Sequence, residues 1–183
     1  MKQMNGSLKK IHDLSSVQTR DFLAKGWLTH DGMWYYNACR ELGAERANRL
    51  NLAAIRSMAP VEIQRIRKIT GMEKERVERF AELVDFLQTA LGLVLPASIA
   101  GRFTLGTPAP NTFRWGWEKN ECFAYKGIVI AGAIDCYECG VIYRISCWLD
   151  ALQVNHRIEP EVKRCMMHEK GYCRGDIICH FGI

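Results

Sequence analysis

Apolar side chains recur at three- and four-residue intervals through residues 1–95, and beyond a Gly-, Pro- and Thr-rich break the interval shortens to two. The first spacing is that of amphipathic helices and the second that of half-buried strands. Ser15 or Ser16 caps a short helix running toward Lys25, with Gly26 as its stop. Asp31 or Thr29 caps the next, which carries Met33, Trp34 and Tyr35 and ends near Gly43. Ala47, Leu50, Ala54, Ile55 and Met58 stripe a third helix up to Pro60, a residue suited to the first turn of a new one. Val61, Ile63, Ile66 and Ile69 carry the stripe to Gly71, read as the residue just past the helix end. Val77, Phe80, Val84, Leu87 and Leu91 share one face of a last helix that stops at Gly92.

From Pro96 the texture changes. Residues 101–112 read as loop or short strand, and Phe113, Trp115 and Trp117 then alternate with polar or small neighbours. Lys119 and Asn120 suit a turn, with residues 122–127 as the returning strand. Residues 135–154 return to helical spacing at Cys139, Ile142, Tyr143, Ser146, Cys147 and Asp150. A second hairpin closes the chain: residues 162–169, a turn through 170–175, and residues 176–181. Helices followed by hairpin, helix and hairpin predict an α+β fold. Its helical N-terminal half (residues 1–95) packs with an antiparallel sheet of hairpins and one helix (residues 96–183), as one compact unit.

Size and composition refine this picture. A chain of 183 residues that is 48% hydrophobic builds a core without covalent staples. No apolar run nears the ~20 residues needed to span a bilayer, so no membrane partner is expected. Residues 1–21 lack the apolar stretch of a secretory signal, and the expected compartment is the cytoplasm. There the eight cysteines stay thiols and point to metal, redox chemistry or burial. The net charge of +5 invites a nucleic-acid partner, but basic and acidic residues interleave, as in Glu73-Lys74-Glu75-Arg76-Val77-Glu78-Arg79. These read as solvated helix faces rather than a nucleic-acid surface.

The last forty residues concentrate soft and borderline metal donors. The terminal hairpin supplies Cys165, His168, Glu169, Cys173, Cys179 and His180, and the helix before it Cys136, Cys139 and Cys147. Glu169 and Cys173 flank a Gly-containing turn, Cys179 returns on the second strand, and a helix packed on that sheet would add Cys147. Three thiolates and an acid suit tetrahedral zinc, with His168, Cys165 and Cys139 as competing ligands. An iron–sulfur cluster on four of the cysteines is an alternative. The plain reading of any single cysteine is a small buried hydrophobe. The Cys136–Cys139 pair is a redox candidate at a helix start or simply buried.

A second candidate site is His30 with Asp31, Trp34 and Tyr35, an imidazole and a carboxylate beside aromatics. Its plain reading is a helix cap followed by core residues. Tyr143, Trp148, Trp115 and Trp117 are candidates for the lining of an apolar cavity between sheet and helices. No phosphate loop, G-x-S-x-G elbow or H-E-x-x-H is present.

Gly175-Asp176-Ile177-Ile178-Cys179-His180-Phe181 resembles the terminal Gly-Asp-x-x-Cys-x-Phe signature of 4-vinyl reductase domains and of proteins called L-2-amino-thiazoline-4-carboxylic acid hydrolase-like. Cys147-Trp148-Leu149-Asp150 is similar to the Cys-x-x-Asp of the second group. Residues 27–35 and the Gly-Ala-Glu-Arg-Ala run from Gly43 resemble the helical half of hydrolase-like proteins from anaerobes. The resemblance implies a small-molecule-binding α+β domain, dimeric, with a zinc site of three cysteines and a glutamate falling on Cys147, Glu169, Cys173 and Cys179. The spacings around Cys173 depart from that pattern by a residue or two. The expected function is therefore binding of an apolar or aromatic small molecule beside a structural zinc. The alternative is a hydrolase of a small cyclic amide- or thiazoline-like compound, using metal-bound water or a cysteine nucleophile such as Cys147 with Asp150 or Cys179 with His180.

Overall fold

The structure is a computed structural model that describes residues 8–72 and 76–181. Helix α1 spans Ser16–Leu42 and opens on a reciprocal cap. The Ser15 hydroxyl accepts from the Gln18 N–H at 3.2 Å, and the Gln18 side chain accepts from the Ser15 N–H at 2.9 Å. The two helices expected on either side of Gly26 are this single helix. A helical glycine costs only about 1 kcal/mol against alanine, too little to end a helix with neighbours to pack on. Thr29, expected as a cap, instead donates its hydroxyl to the Lys25 carbonyl at 2.9 Å. The helix ends where Gly43 takes φ +78°.

Helix α2, Ala44–Thr70, runs straight through Pro60, a second departure from expectation. An interior proline costs roughly 3 kcal/mol, and burial of Ala59, Ile63 and Ile66 around it offsets that loss. Gly71, left-handed at φ +69°, stops it as the sequence suggests. Of the charge run expected as a helix face, residues 73–75 lie outside the described residues, and residues 76–79 precede α3 (Phe80–Val94). Val77 is buried ahead of that helix, which continues past Gly92. The short α4, Ala97–Ala100, receives the Asp21 carboxylate on the Ala97 N–H at 3.0 Å.

Four antiparallel strands follow in the order β1-β2-β4-β3: Phe103–Ala109, Thr112–Trp117, Cys173–His180 and Asn155–Glu159. The strand expected at residues 122–127 is helix α5, Phe123–Ile130. A short apolar run does not by itself distinguish helix from strand. Helix α6 covers Gly140–Ala151, inside the helical stretch expected there. The closing hairpin is drawn differently from expectation. Its first strand is β3, and residues 166–170 form α7, Met166–Lys170. The C-terminal half thus carries several helices rather than one.

Register fixes the inner face of the sheet. Phe113 pairs with Ile177, Trp115 with Gly175 and Trp117 with Cys173, while His156 lies opposite Cys179. All of the β2 aromatics in that row are buried. Phe80 of α3 meets Phe113 at 4.7 Å between ring centroids, and Phe123 of α5 meets Trp117 at 5.8 Å. The buried cluster runs from Tyr35 to Cys179 and so draws on both halves of this α+β fold. Among the described residues no helix is long and apolar enough to cross a membrane.

Candidate functional site

The site begins with one buried polar residue. Asn48 of α2 is 2% exposed. Its Oδ1 accepts from the Tyr35 hydroxyl at 2.7 Å and the Glu138 N–H at 3.1 Å, and its Nδ2 donates to the Cys136 carbonyl at 2.7 Å. A buried amide must be satisfied, and here its partners lie on α1 and on the loop entering α6. That clamp holds α1, α2 and α6 around a cavity of about 160 Å³.

The wall is mostly aliphatic and aromatic: Leu28 and Tyr35 from α1, Ile55 and Met58 from α2, Ile145 from α6, and Trp117 from the sheet. Gly32 and Gly127 face it too, and a Cβ at either would meet nothing within 4 Å. The polar groups are few. Arg144 donates from Nε to Glu62 Oε2 at 3.0 Å and from Nη2 to Glu62 Oε1. The Trp148 indole N–H also donates to Glu62, at 2.9 Å, and the guanidinium lies 5.3 Å from the Trp148 ring. Asp31 sits at the solvent-exposed rim. Partial desolvation there raises its carboxyl above the usual range, against the pull of Arg144 and His30, while Glu62 adds to the rise. Tyr35 is raised chiefly by burial.

Of the site and cavity residues expected from sequence, Asp31, Tyr35, Trp117 and Trp148 lie in this wall, while His30, Trp34, Tyr143 and Trp115 do not. His30 and Trp34 line a shallow depression on another face of α1 with Met33 and Asn37, and His30 stacks with Trp27 at 5.9 Å. Tyr143 takes a hydrogen bond from Arg56 Nε at 2.8 Å on the α2–α6 surface. Trp115 is fully buried beneath the sheet, against Gly175.

Cys147, Glu169, Cys173 and Cys179 do not meet at one point. Among the described residues, no three His, Cys, Asp or Glu side chains converge on a single-ion site. Cys147 stands by Tyr143 and Asp150 on α6. Cys179 is pushed up to about 11 by burial alone. Glu169 is near Cys165. A different set of thiols draws together. Cys122, Cys139 and Cys165 each immediately precede a helix (α5, α6 and α7), and Cys173 opens β4. The Cys139 N–H donates to the Lys163 carbonyl at 3.0 Å, the Asn120 N–H meets the Met167 sulfur at 3.4 Å, and Cys173 pairs with Trp117. These links bring the four segments to one place. Burial pushes Cys122 and Cys173 up to about 12, and neighbouring cysteines add to the rise. Backbone N–H groups at residues 124–125, 141–142 and 167–168 oppose it by facing the Cys122, Cys139 and Cys165 sulfurs. The Trp115 indole N–H lies beside Cys173 yet meets no acceptor with hydrogen-bond geometry.

Sequence reasoning also missed a Ser–His contact, Ser146 Oγ to His156 Nε2 at 2.7 Å, with Asp150 3.8 Å from Nδ1. His156 Nδ1 lies 3.0 Å from the Val154 carbonyl. Donation there leaves Nε2 to accept from the serine. Neither Ser146 nor His156 is in the cavity wall, so the contact pins α6 to β3. Helical periodicity carries no sign of this contact, nor of the Glu62–Arg144 pair, which joins two helices 82 residues apart.

In comparisons with known proteins, the model of a family of unknown function (DUF6125) matches residues 10–99. No curated protein and no solved structure matches the chain. The chain is therefore similar to that family over the segment that carries α1, α2 and α3.

Proposed function

We propose that this protein is a small-molecule-binding domain whose occupant is an apolar or aromatic molecule held between α1, α2, α5, α6 and the sheet. The observation that carries this reading is the cavity of about 160 Å³ with its mostly apolar wall. An apolar cavity of roughly 150 Å³ is enough to take up benzene. Two glycines in the wall leave the space open where any larger residue would fill it. The resemblance to 4-vinyl reductase domains favours the same reading. The hydrolase alternative requires a nucleophile in the wall, and Cys147, Cys179 and His180 are not among its residues. Toluene titrated into the protein is expected to raise its melting temperature and change the fluorescence of Trp117 and Trp148. Gly32→Leu should fill the space and abolish both effects while leaving the protein folded. Equal toluene binding by wild type and Gly32→Leu would count against the cavity.

A metal of the kind expected from sequence would call on Cys122, Cys139, Cys165 and Cys173, which lie near one another but, as placed, do not converge on a single-ion site. Backbone N–H groups facing three of the sulfurs favour thiolates, against burial that raises all four thiols and that a bound metal would have to overcome. Such a centre would tie the starts of three helices to β4 and play a structural part. Elemental analysis with a visible spectrum tests it. Zinc without colour or iron with a brown absorbance, lost on Cys139→Ser, supports the site. A metal-free folded protein removes it.

A further inference from the structure

We infer that the occupant of the cavity carries a cationic amine, which the Asp31 carboxylate receives at the rim while the apolar body lies inside. This inference rests on the small-molecule reading above and names the chemical class of the ligand. Apart from the neutral amide of Asn51, the other polar side chains in the wall already have partners. The Tyr35 hydroxyl is taken by Asn48. Arg144 is held by Glu62, two of its nitrogens on the two carboxylate oxygens, and Glu62 also receives the Trp148 N–H. The two charges cancel within that pair, and at 19% and 15% exposure neither side chain is readily drawn away from it. The Tyr137 oxygen accepts from the Gly140 N–H at 3.1 Å.

Asp31 differs. It makes no hydrogen bond or ion pair among the described residues, and it is the sole carboxylate in the wall. Arg144, Glu62 and Asp31 together leave one net negative charge at this end of the cavity, with His30 near the same carboxylate. An anionic ligand would meet that charge without a free cation to receive it. An ammonium would be attracted by it, and a purely apolar ligand would leave it as it is. The position at the rim matters as well. A fully buried ammonium loses its hydration at great cost, whereas a head at the rim keeps part of its water while the ring is desolvated. The wall offers few other free polar groups, as expected of a site where a small number fix orientation.

The test compares probes with one ring and different heads, by calorimetry on the full chain: benzylamine, benzyl alcohol, benzoate and toluene. Benzylamine is expected to bind about fivefold more tightly than benzyl alcohol, the size of an ion pair in a half-solvated setting, and benzoate most weakly. Asp31→Asn is expected to fold normally, since no contact depends on the charge, and to bring benzylamine level with benzyl alcohol. Benzyl alcohol should bind both proteins alike. A wild-type protein that binds toluene but shows no amine preference, or a preference that survives Asp31→Asn, overturns the ligand class and leaves the cavity reading intact. Failure of every probe, toluene included, overturns both.

Discussion

Replacing Asn48 by alanine removes one small side chain and three hydrogen bonds. The bond from the Tyr35 hydroxyl is buried, and truncation leaves that hydroxyl without an acceptor. An unsatisfied buried donor costs about 1–3 kcal/mol. The bonds to the Glu138 N–H and the Cys136 carbonyl are only partly buried, and water recovers some of each. Their loss is worth about 0.5–1.5 kcal/mol apiece. The sum is about 4 kcal/mol, against a total stability of about 5–15 kcal/mol for a typical domain. Tyr35→Phe removes only the first bond and no acceptor is stranded in apolar surroundings, so about 1 kcal/mol is expected. Urea unfolding followed by tryptophan fluorescence measures both, and the double variant should lose less than the sum because the two share a bond. Because residues 136–138 lead into Cys139 and α6, Asn48→Ala should also speed thiol labelling at Cys139. A loss below about 1 kcal/mol for Asn48→Ala, with an unchanged urea slope, would refute the view that this residue clamps the helices.

Other expectations can be checked with single variants. Gly175→Ala places a Cβ against the Trp115 ring and 2.6 Å from the Glu159 carbonyl, so it should destabilise by about 3 kcal/mol in the same urea assay. Gly26 lies inside α1 with nothing within 4 Å of its would-be Cβ, and Gly26→Ala should raise stability by about 1 kcal/mol. Burial lifts the Cys179 thiol to about 11, whereas an unfolded cysteine titrates near 8.5. The folded state holds its proton longer, so this contribution is whole below about pH 8.5 and is lost as pH rises toward 11. Cys179 supplies about 1.4 kcal/mol per pH unit of the slope in that window, beside the other buried thiols, and Cys179→Ala under reducing conditions should lower the slope by that amount.

What the sequence made legible was periodic. The α+β class, the helical N-terminal half, the alternating Phe113–Trp115–Trp117 strand and the helix end at Gly71 all follow from spacing and local caps. Breakers misled where packing outweighed local preference. Gly26 and Pro60 sit inside continuous helices because the apolar stripe continues past them. Strand β3 is not legible in the sequence because Asn155, Arg157 and Glu159 keep a sheet edge polar and exposed, so it shows little apolar alternation. Helix α7 reads as strand in the sequence because five residues hold too little of any period to tell. The candidate site was least legible. Tyr35, Trp117 and Trp148 are legible as aromatics and Asp31 as an acid beside a histidine, but the Asn48 clamp and the neutralised Arg144 depend on contacts between segments far apart in the chain. The cysteines were visible as a group, yet which of them gather is set by where helices α5, α6 and α7 begin.

The most direct measurement for the binding function is a crystal structure of the protein soaked with toluene. The ring is expected between Ile55, Met58 and Ile145, with Gly32 and Trp117 in contact and Asp31 at the open end. A structure in which those side chains close on one another, with no toluene among them, would contradict the account.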